Sequence, residues 1–188
     1  MAKLLEKMSN YTYKVVDNET KTIPCPRNMN DVYSIGTNLQ YYIGDIYLHL
    51  AELSQRDLKP QYKKMAIVEL EIKQQIQEVN NARLNELLGY FYNNGGAVIE
   101  PPLTYMQSKE IQPFFTRIID TFTSRVEDSF VLAADGSISP GRLESMINYD
   151  IIEMYTNLSK LFPVDEISKA FRQLIVIRKR NVSRGRSC

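Results

Sequence analysis

A single histidine and two cysteines limit the metal and nucleophile chemistry open to this chain. His49 stands between Leu48 and Leu50 in a helical apolar pattern, where a hydrogen-bonded structural histidine is commoner than a metal ligand. Because a carboxylate-bridged metal bundle takes Glu-x-x-His pairs from two helices, one histidine is too few. Cys25 and Cys188 form no Cys-x-x-Cys motif, so neither a zinc ribbon nor a redox site is expected.

The stretch DGSIS at residues 135–139 looks like the middle of a calcium-binding loop. When Gly136 is aligned with the invariant glycine of that loop, Val131, Ala133 and Arg142 fall at positions that need oxygen ligands. We interpret the stretch instead as a helix end, a turn and a new N-cap. The chain has no phosphate-binding glycine loop and no nucleophile elbow. The sequence therefore predicts a non-enzymatic protein without catalytic residues, cofactors or metals.

The C-terminal residues carry the strongest charge pattern in the chain. Residues 178–188 contain five cations and no acid, whereas the formal net charge of the whole chain is +1. Subtracting those five charges leaves the remainder at −4, so a mildly acidic body ends in a basic tail. This asymmetry predicts an anionic partner for the tail. The candidate partner-binding cations are Arg178, Lys179, Arg180, Arg184 and Arg186.

Tyrosines are frequent in the first predicted helix. A tyrosine ring buries apolar area while its hydroxyl keeps a polar contact, which suits protein interfaces. The same residues could equally form the fringe of one core. This helix has more apolar and aromatic positions than one packing seam can use, which favours an intermolecular contact. We therefore add Tyr33, Tyr41 and Tyr47 to the partner-binding candidates.

The apolar spacing predicts an all-α protein, an antiparallel bundle of four to five helices. The first helix starts at a cap, Asn28 or Asn30, and the second runs from Pro60 to a stop at residues 93–96. Three shorter helices are predicted at residues 113–132, 139–161 and 164–177. The apolar seam of the first helix consists of Val32, Ile35, Leu39, Ile43, Ile46, Leu50 and Leu53.

Two glycines, Gly36 and Gly44, interrupt the first predicted helix. Glycine inside a helix costs roughly 1 kcal/mol relative to alanine. Each glycine therefore indicates either a close backbone approach or a tolerated position on a flank.

The predicted domain organisation is an N-terminal arm at residues 1–29, a bundle at 30–177 and an extended basic tail at 178–188. The arm contains a possible β-hairpin whose turn lies at residues 17–20, where Asp and Asn favour a turn. The beginning of the chain shows no signal-peptide pattern, and no apolar stretch is long enough to span a bilayer. A protein that does not associate with membranes is therefore expected.

The outline of a helical bundle with an N-terminal arm and a C-terminal tail resembles the head-to-tail connector, or neck adaptor, proteins of tailed bacteriophages. The resemblance covers the architecture of residues 30–188. It implies a structural protein of the virion, assembled in the host cytoplasm. Its subunits would form a ring under the portal, with the C-terminal segment contacting portal subunits.

The basic tail also fits a second class, a nucleic-acid-binding regulator or packaging factor. In that class the five cations would contact phosphates without reading sequence. Five such contacts on duplex DNA give a salt slope of roughly −4 to −5.

Overall fold

A computed structural model describes residues 23–93 and 102–185, and α-helix is the only regular secondary structure in these residues. The predicted all-α bundle is confirmed, whereas the predicted β-hairpin lies outside the described residues. Five helices follow one another: α1 (Met29–Leu53), α2 (Lys59–Asn93), α3 (Tyr105–Ala134), α4 (Pro140–Leu161) and α5 (Asp165–Gly185). No described helix combines the length and the apolar character needed to cross a bilayer.

Helices α1 and α2 form the antiparallel hairpin that the sequence predicts. The Asn28 side chain caps α1 by accepting a hydrogen bond from the Asp31 amide, which satisfies one of the unpaired N–H groups of the first turn. A Cβ atom at Gly36 would lie 3.0 Å from the Leu174 side chain of α5, and one at Gly44 would lie 3.4 Å from Glu69 Cβ. Gly36 thus marks a close approach of α5, and Gly44 makes only an ordinary contact with α2.

Helix α3 begins at Tyr105, earlier than the predicted start at residue 113. Thr104 and Gln107 form a capping box, in which each side chain bonds the backbone N–H of the other residue. This box gives the helix a start eight residues upstream of Pro113, which then lies inside it. The apolar segment at residues 97–108, which its two prolines predict to be extended, is therefore helical from Tyr105 onward.

Helix α4 begins as predicted, with the Ser139 side chain accepting from the Arg142 amide and Pro140 in the first turn. Helix α5 continues to Gly185, beyond the predicted boundary of the bundle at residue 177. The predicted extended tail is therefore helical as far as the structure describes it, and residues 186–188 lie outside the described part.

The helices run alternately up and down around one core. The Leu103 amide donates to the Arg27 carbonyl at 2.7 Å, which places the start of α3 beside the start of α1. The ring centroids of Tyr47 on α1 and Phe130 on α3 are 5.7 Å apart, so these two helices run in the same direction. At the base of α5, Phe171 packs on Phe162 at 5.7 Å. The core thus extends along the full length of α1.

Helix α2 is longer than the helix it pairs with. A hydrogen bond of 2.9 Å joins Asn80 on α2 to Asn30 at the start of α1. Residues 84–93 continue past that point for roughly 15 Å, given a rise of 1.5 Å per residue. We call residues 84–93 the α2 overhang. It extends from the end of the bundle at which α3 begins.

The segment before α1 holds the thiol of Cys25 in a buried position. The Cys25 amide donates to Gln112 Oε1 at 2.7 Å, which fixes the segment against α3. Burial, assisted by the negative charge of Asp31, raises the pKa of the Cys25 thiol to about 11. The folded state therefore favours the neutral thiol, and this contribution to stability is lost as the pH rises from 9 through 11.

Alkylation of Cys25 at pH 8 is expected to be about 100-fold slower in the folded chain than in the unfolded chain, because only the thiolate reacts. The measurement is the rate of iodoacetamide modification, followed by mass spectrometry, in a Cys188→Ser variant that leaves one thiol. The same variant in denaturant is the control. Equal rates in the two states would contradict the buried placement of this side chain.

Candidate functional site

Arg178, predicted to contact a partner, lies inside the bundle with 1% of its surface exposed. Its guanidinium forms a bidentate ion pair with the carboxylate of Glu69 on α2, in which Nη2 donates to Oε1 at 2.7 Å. Because this cation is sealed in the core, it cannot reach an external anion in this fold. The placement corrects the prediction that Arg178 belongs to a partner-binding tail.

Two further helices complete the hydrogen bonding of Arg178. Nε donates to Asn148 Oδ1 on α4 at 2.7 Å, and Nη1 donates to Gln40 Oε1 on α1 at 2.8 Å. Gln40 also donates to the hydroxyl of Tyr155 at 3.4 Å. The polar cluster therefore joins α1, α2, α4 and α5 at one level of the bundle. We call Arg178, Glu69, Gln40 and Asn148 the buried polar cluster.

Charge balance explains why the buried polar cluster is tolerated in an apolar core. Desolvation opposes the charged form of Arg178, but the adjacent Glu69 carboxylate outweighs it and the pKa of Arg178 is raised. Guanidinium is suited to this position because it stays charged and matches a carboxylate with two parallel N–H bonds. The cluster fixes the relative positions of four helices, because the three partners of Arg178 on α5 come from α1, α2 and α4.

Tyr47 is fully buried beside this cluster, and its hydroxyl has no hydrogen-bond partner among the described residues. Burial raises the pKa of Tyr47 well above its usual value, and the negative charge of Glu69 raises it further. The ring packs edge-on against Phe130. Tyr47 is thus a core residue, which corrects its assignment as a partner-binding residue.

Tyr47→Phe is expected to raise the free energy of unfolding by about 1 kcal/mol, because the ring packing stays and an unsatisfied buried hydroxyl is removed. Urea denaturation followed by circular dichroism measures the change. Tyr155→Phe serves as the matched control, since the Tyr155 hydroxyl accepts from Gln40 and its loss is expected to be destabilising. A destabilised Tyr47→Phe variant would show that the hydroxyl has a partner.

The other two candidate tyrosines differ from each other in exposure. Tyr33 is buried and donates to the side chain of Gln173 on α5, which again corrects a partner-binding assignment. Tyr41 is 47% exposed, and the Lys73 ammonium lies 5.0 Å from the centroid of its ring. Of the three candidates, Tyr41 alone presents a large part of its ring at the surface.

The remaining basic candidates lie at or beyond the end of α5. Lys179 and Arg180 are exposed on the last described turns. Arg184 belongs to α5, its side chain is outside the description, and Arg186 follows the described residues. The structure therefore separates the buried Arg178 from the exposed Lys179 and Arg180.

The polar residues with potential for chemistry are dispersed. His49 Nδ1 lies 3.6 Å from a carboxylate oxygen of Glu52, on the outer side of α1. Residues 23–93 and 102–185 contain no group of three or more His, Cys, Asp or Glu side chains that could hold a metal ion.

The stretch at residues 135–139 forms a turn after α3. Gly136 adopts φ 81, and the Asp135 carboxylate accepts a hydrogen bond from the Ser137 amide, as expected for a turn after a helix. Hydrogen bonds from the Ser137 side chain and from its amide lower the pKa of Asp135.

A shallow groove of about 190 Å³ lies between α3 and α4. Arg125 crosses it and pairs with Glu153 and, at 3.6 Å, with Asp150. Burial raises the pKa of Asp150, although Arg125 opposes the shift. The groove is smaller than the 300–1,000 Å³ typical of small-molecule sites. We interpret it as a surface ion-pair cluster that joins the two helices.

Seven exposed large apolar side chains belong to the α2 overhang and the first turns of α3, which lie at the same end of the bundle. Leu88 on the α2 overhang is 54% exposed, and Phe114 on α3 is 61% exposed. We call this region the apolar end; no pattern in the sequence marked it, because its residues belong to two helices whose ends come to the same side of the bundle only in the fold. Its exposed members are Leu84, Leu88, Tyr90, Tyr92, Tyr105, Met106 and Phe114.

Comparison with known proteins identifies no relative in which a counterpart of the apolar end or of the buried polar cluster could be sought. No protein-family model, no curated protein and no solved structure matches this chain.

Proposed function

We propose that this chain is a non-enzymatic assembly protein, a subunit of a virion head-to-tail connector ring. In this proposal the subunit contacts its neighbours in the ring and a portal protein, and it resides in the virion after assembly in the host cytoplasm. The apolar end is the observation that carries the proposal. Large exposed apolar surfaces on soluble proteins generally mark contacts with other proteins or with membranes.

The composition of the apolar end supports a protein partner. Aromatic residues and methionine are enriched at protein interfaces, and Tyr105, Met106 and Phe114 all belong to the first turns of α3. Their exposed fractions are 72%, 64% and 61%. Side chains of this size gain most when a partner removes them from water, since burial contributes about 25 cal/mol per Å² of apolar area.

The second candidate, a nucleic-acid binder, rests on Lys179 and Arg180, which are exposed on α5. It is weaker than the sequence suggested because Arg178 is bound to Glu69 and cannot neutralise a phosphate. The four remaining cations of residues 178–188 limit the salt slope on duplex DNA to roughly −4.

The mass of the full chain in solution, measured by light scattering, tests the proposal. A connector subunit is expected to form a discrete species whose mass is a multiple, well above two, of the 21.8 kDa chain. A monomer at every concentration would contradict the proposal. If that monomer also bound DNA with a salt slope near −4, the second candidate would replace it.

A further inference from the structure

We propose that residues 23–27, which precede α1, form a releasable strap that detaches from α3 as one unit while the five helices stay folded. We call residues 23–27 the strap. Gln112 on α3 holds it in place, and Asn28 is its hinge. The inference does not depend on the proposed assembly function, because it concerns how the chain before α1 is attached to the bundle.

Gln112 holds the strap with both ends of its carboxamide. Its Oε1 accepts from the Cys25 amide at 2.7 Å, and its Nε2 donates to the Ile23 carbonyl at 2.9 Å. A carboxamide has the donor and the acceptor of a peptide group. Gln112 therefore bonds the extended strap in the way that a neighbouring strand would. Nε2 also donates to Thr116 Oγ1 at 3.0 Å, which orients the carboxamide.

Two prolines leave the strap with few backbone donors. Pro24 and Pro26 have no N–H group, so the Cys25 amide is the only backbone donor of residues 24–26. A proline also disfavours helix in the residue before it, which keeps the strap extended and separate from α1. Because no backbone ladder holds this segment, its attachment to α3 depends on the single side chain of Gln112.

The hinge lies where the strap meets α1. Asn28 is extended, with φ −153 and ψ 175, and its side chain caps α1 by accepting from the Asp31 amide. The Arg27 amide donates to Asp31 Oδ2 at 2.8 Å. Both bonds belong to the start of α1 and need not break when the strap opens. The Arg27 carbonyl also accepts from the Leu103 amide at 2.7 Å, so Gln112 and Leu103 hold the two ends of the strap.

Opening of the strap exposes far less apolar surface than unfolding of the bundle. Cys25 is 6% exposed, Pro26 is buried and Ile23 is partly buried. The rest of the core belongs to the helices and to Leu103 and stays packed when these three side chains leave it. Segments with few buried apolar contacts open locally, at a lower free energy than global unfolding. The strap is therefore expected to open first, which makes the Cys25 thiol accessible.

Alkylation of Cys25 by iodoacetamide, in the Cys188→Ser chain, measures this opening. Gln112→Leu removes both hydrogen bonds to the strap and is expected to raise the rate about tenfold. In both chains the rate is expected to stay nearly constant as urea is added below the unfolding transition, because local opening exposes little surface. A rate that Gln112→Leu leaves unchanged, or one that rises with urea in parallel with global unfolding, would contradict the strap.

Gln74→Leu is the matched control, because it removes a carboxamide that bonds Glu78 on the exposed side of α2. Its alkylation rate is expected to change by less than about twofold. Circular dichroism shows whether each variant keeps its helices. If Gln112→Leu unfolds, Gln112→Glu replaces it, since a carboxylate still accepts from the Cys25 amide but cannot donate to the Ile23 carbonyl. A smaller rise in rate is then expected, and an unchanged rate counts against the proposal.

Hydrogen exchange followed by NMR tests the strap without using the thiol. The amides of Cys25 and Leu103 are expected to exchange at similar protection, and both about tenfold faster in Gln112→Leu. Amides in the middle of α1 and α3 are expected to exchange far more slowly than either. If these central amides exchange as fast as Cys25, the strap opens only with the bundle. If Gln112→Leu accelerates Cys25 alone, the two ends open separately, and either result overturns the proposal.

Discussion

Arg178→Ala is expected to lower the free energy of unfolding by about 3–5 kcal/mol. The substitution leaves the Glu69 carboxylate in the core, 2% exposed, without the cation that neutralises it. It also removes the donors to Gln40 and Asn148, whose side-chain oxygens then lose their bonds. Because most domains are stable by only about 5–15 kcal/mol, this loss is a large fraction of the total.

Denaturation in urea, followed by circular dichroism, measures the effect of Arg178→Ala. Arg172→Ala is the matched control on the same helix, since Arg172 is 57% exposed and pairs with Asp165 at the surface. The control is expected to cost less than about 1 kcal/mol, as is usual for exposed ion pairs. A similar small loss for Arg178→Ala would show that the cluster does not hold the helices together.

A double-mutant cycle separates the ion pair from the other contacts of Arg178. Glu69→Leu alone leaves a buried cation, whereas Arg178→Met combined with Glu69→Leu leaves no charge in the core. We expect the double variant to be more stable than either single variant, with a coupling energy above about 1 kcal/mol. The remaining loss is expected from Gln40 and Asn148, which stay without their donor. Additive single effects would contradict a direct interaction between the two charges.

The local signals in the sequence predicted the helices well. Apolar periodicity identified all five, and the caps at Asn28 and Ser139 were visible as residue types. The start of α3 was missed because Pro113 was interpreted as a helix start, although Thr104 and Gln107 already had capping-box spacing. A proline inside a helix is tolerated when tertiary packing compensates for the missing bond, and sequence alone does not show that packing.

The buried polar cluster was missed for a different reason. Leu174, Arg178 and Asn181 continue the core spacing of α5 by four and three residues, but the positive charge of residue 178 suggested the surface. Glu69 likewise lies on the buried face of α2, between Met65 and Ile72. Charged residues at core spacing on separate helices were the available signal. The pairing itself depends on how those helices pack, which periodicity does not specify.

Tyr33 and Tyr47 show that the buried face of α1 is wider than the predicted seam. Gly36, Gln40 and Ile43 connect the two tyrosines at core spacing, and all five are buried. The predicted seam started at Val32 and passed through Ile35 and Leu39. That prediction counted apolar side chains at helical spacing and left out tyrosine and glycine. Both stripes face the bundle: Val32, Ile43, Ile46 and Leu50 of the predicted seam are buried, whereas Ile35 and Leu39 are partly buried and Leu53 is exposed.

Deleting residues 178–188 is expected to unfold most of the bundle, with a loss of about 5 kcal/mol or more. The deletion removes Arg178 and also Asn181, which exchanges hydrogen bonds of 3.0 and 3.1 Å with Gln75 on α2. It therefore withdraws two anchors of α5 and leaves Glu69 buried without a cation. Thermal unfolding followed by circular dichroism measures the loss. A deletion variant with an unchanged melting temperature would contradict the structural role of this segment.

Neutralising the other four cations tests the segment while keeping the buried Arg178 and Asn181. Lys179, Arg180, Arg184 and Arg186 changed together to glutamine leave Arg178 and Asn181 in place, and this variant is expected to melt within a few degrees of the unmodified chain. Light scattering and DNA binding of this variant then report on the cations alone. An unchanged oligomer that binds no DNA shows that these four cations bind DNA but do not drive assembly. A dissociated oligomer shows instead that these cations contact a neighbouring subunit. The full deletion cannot make that distinction, because it removes the charges and the anchor of α5 together.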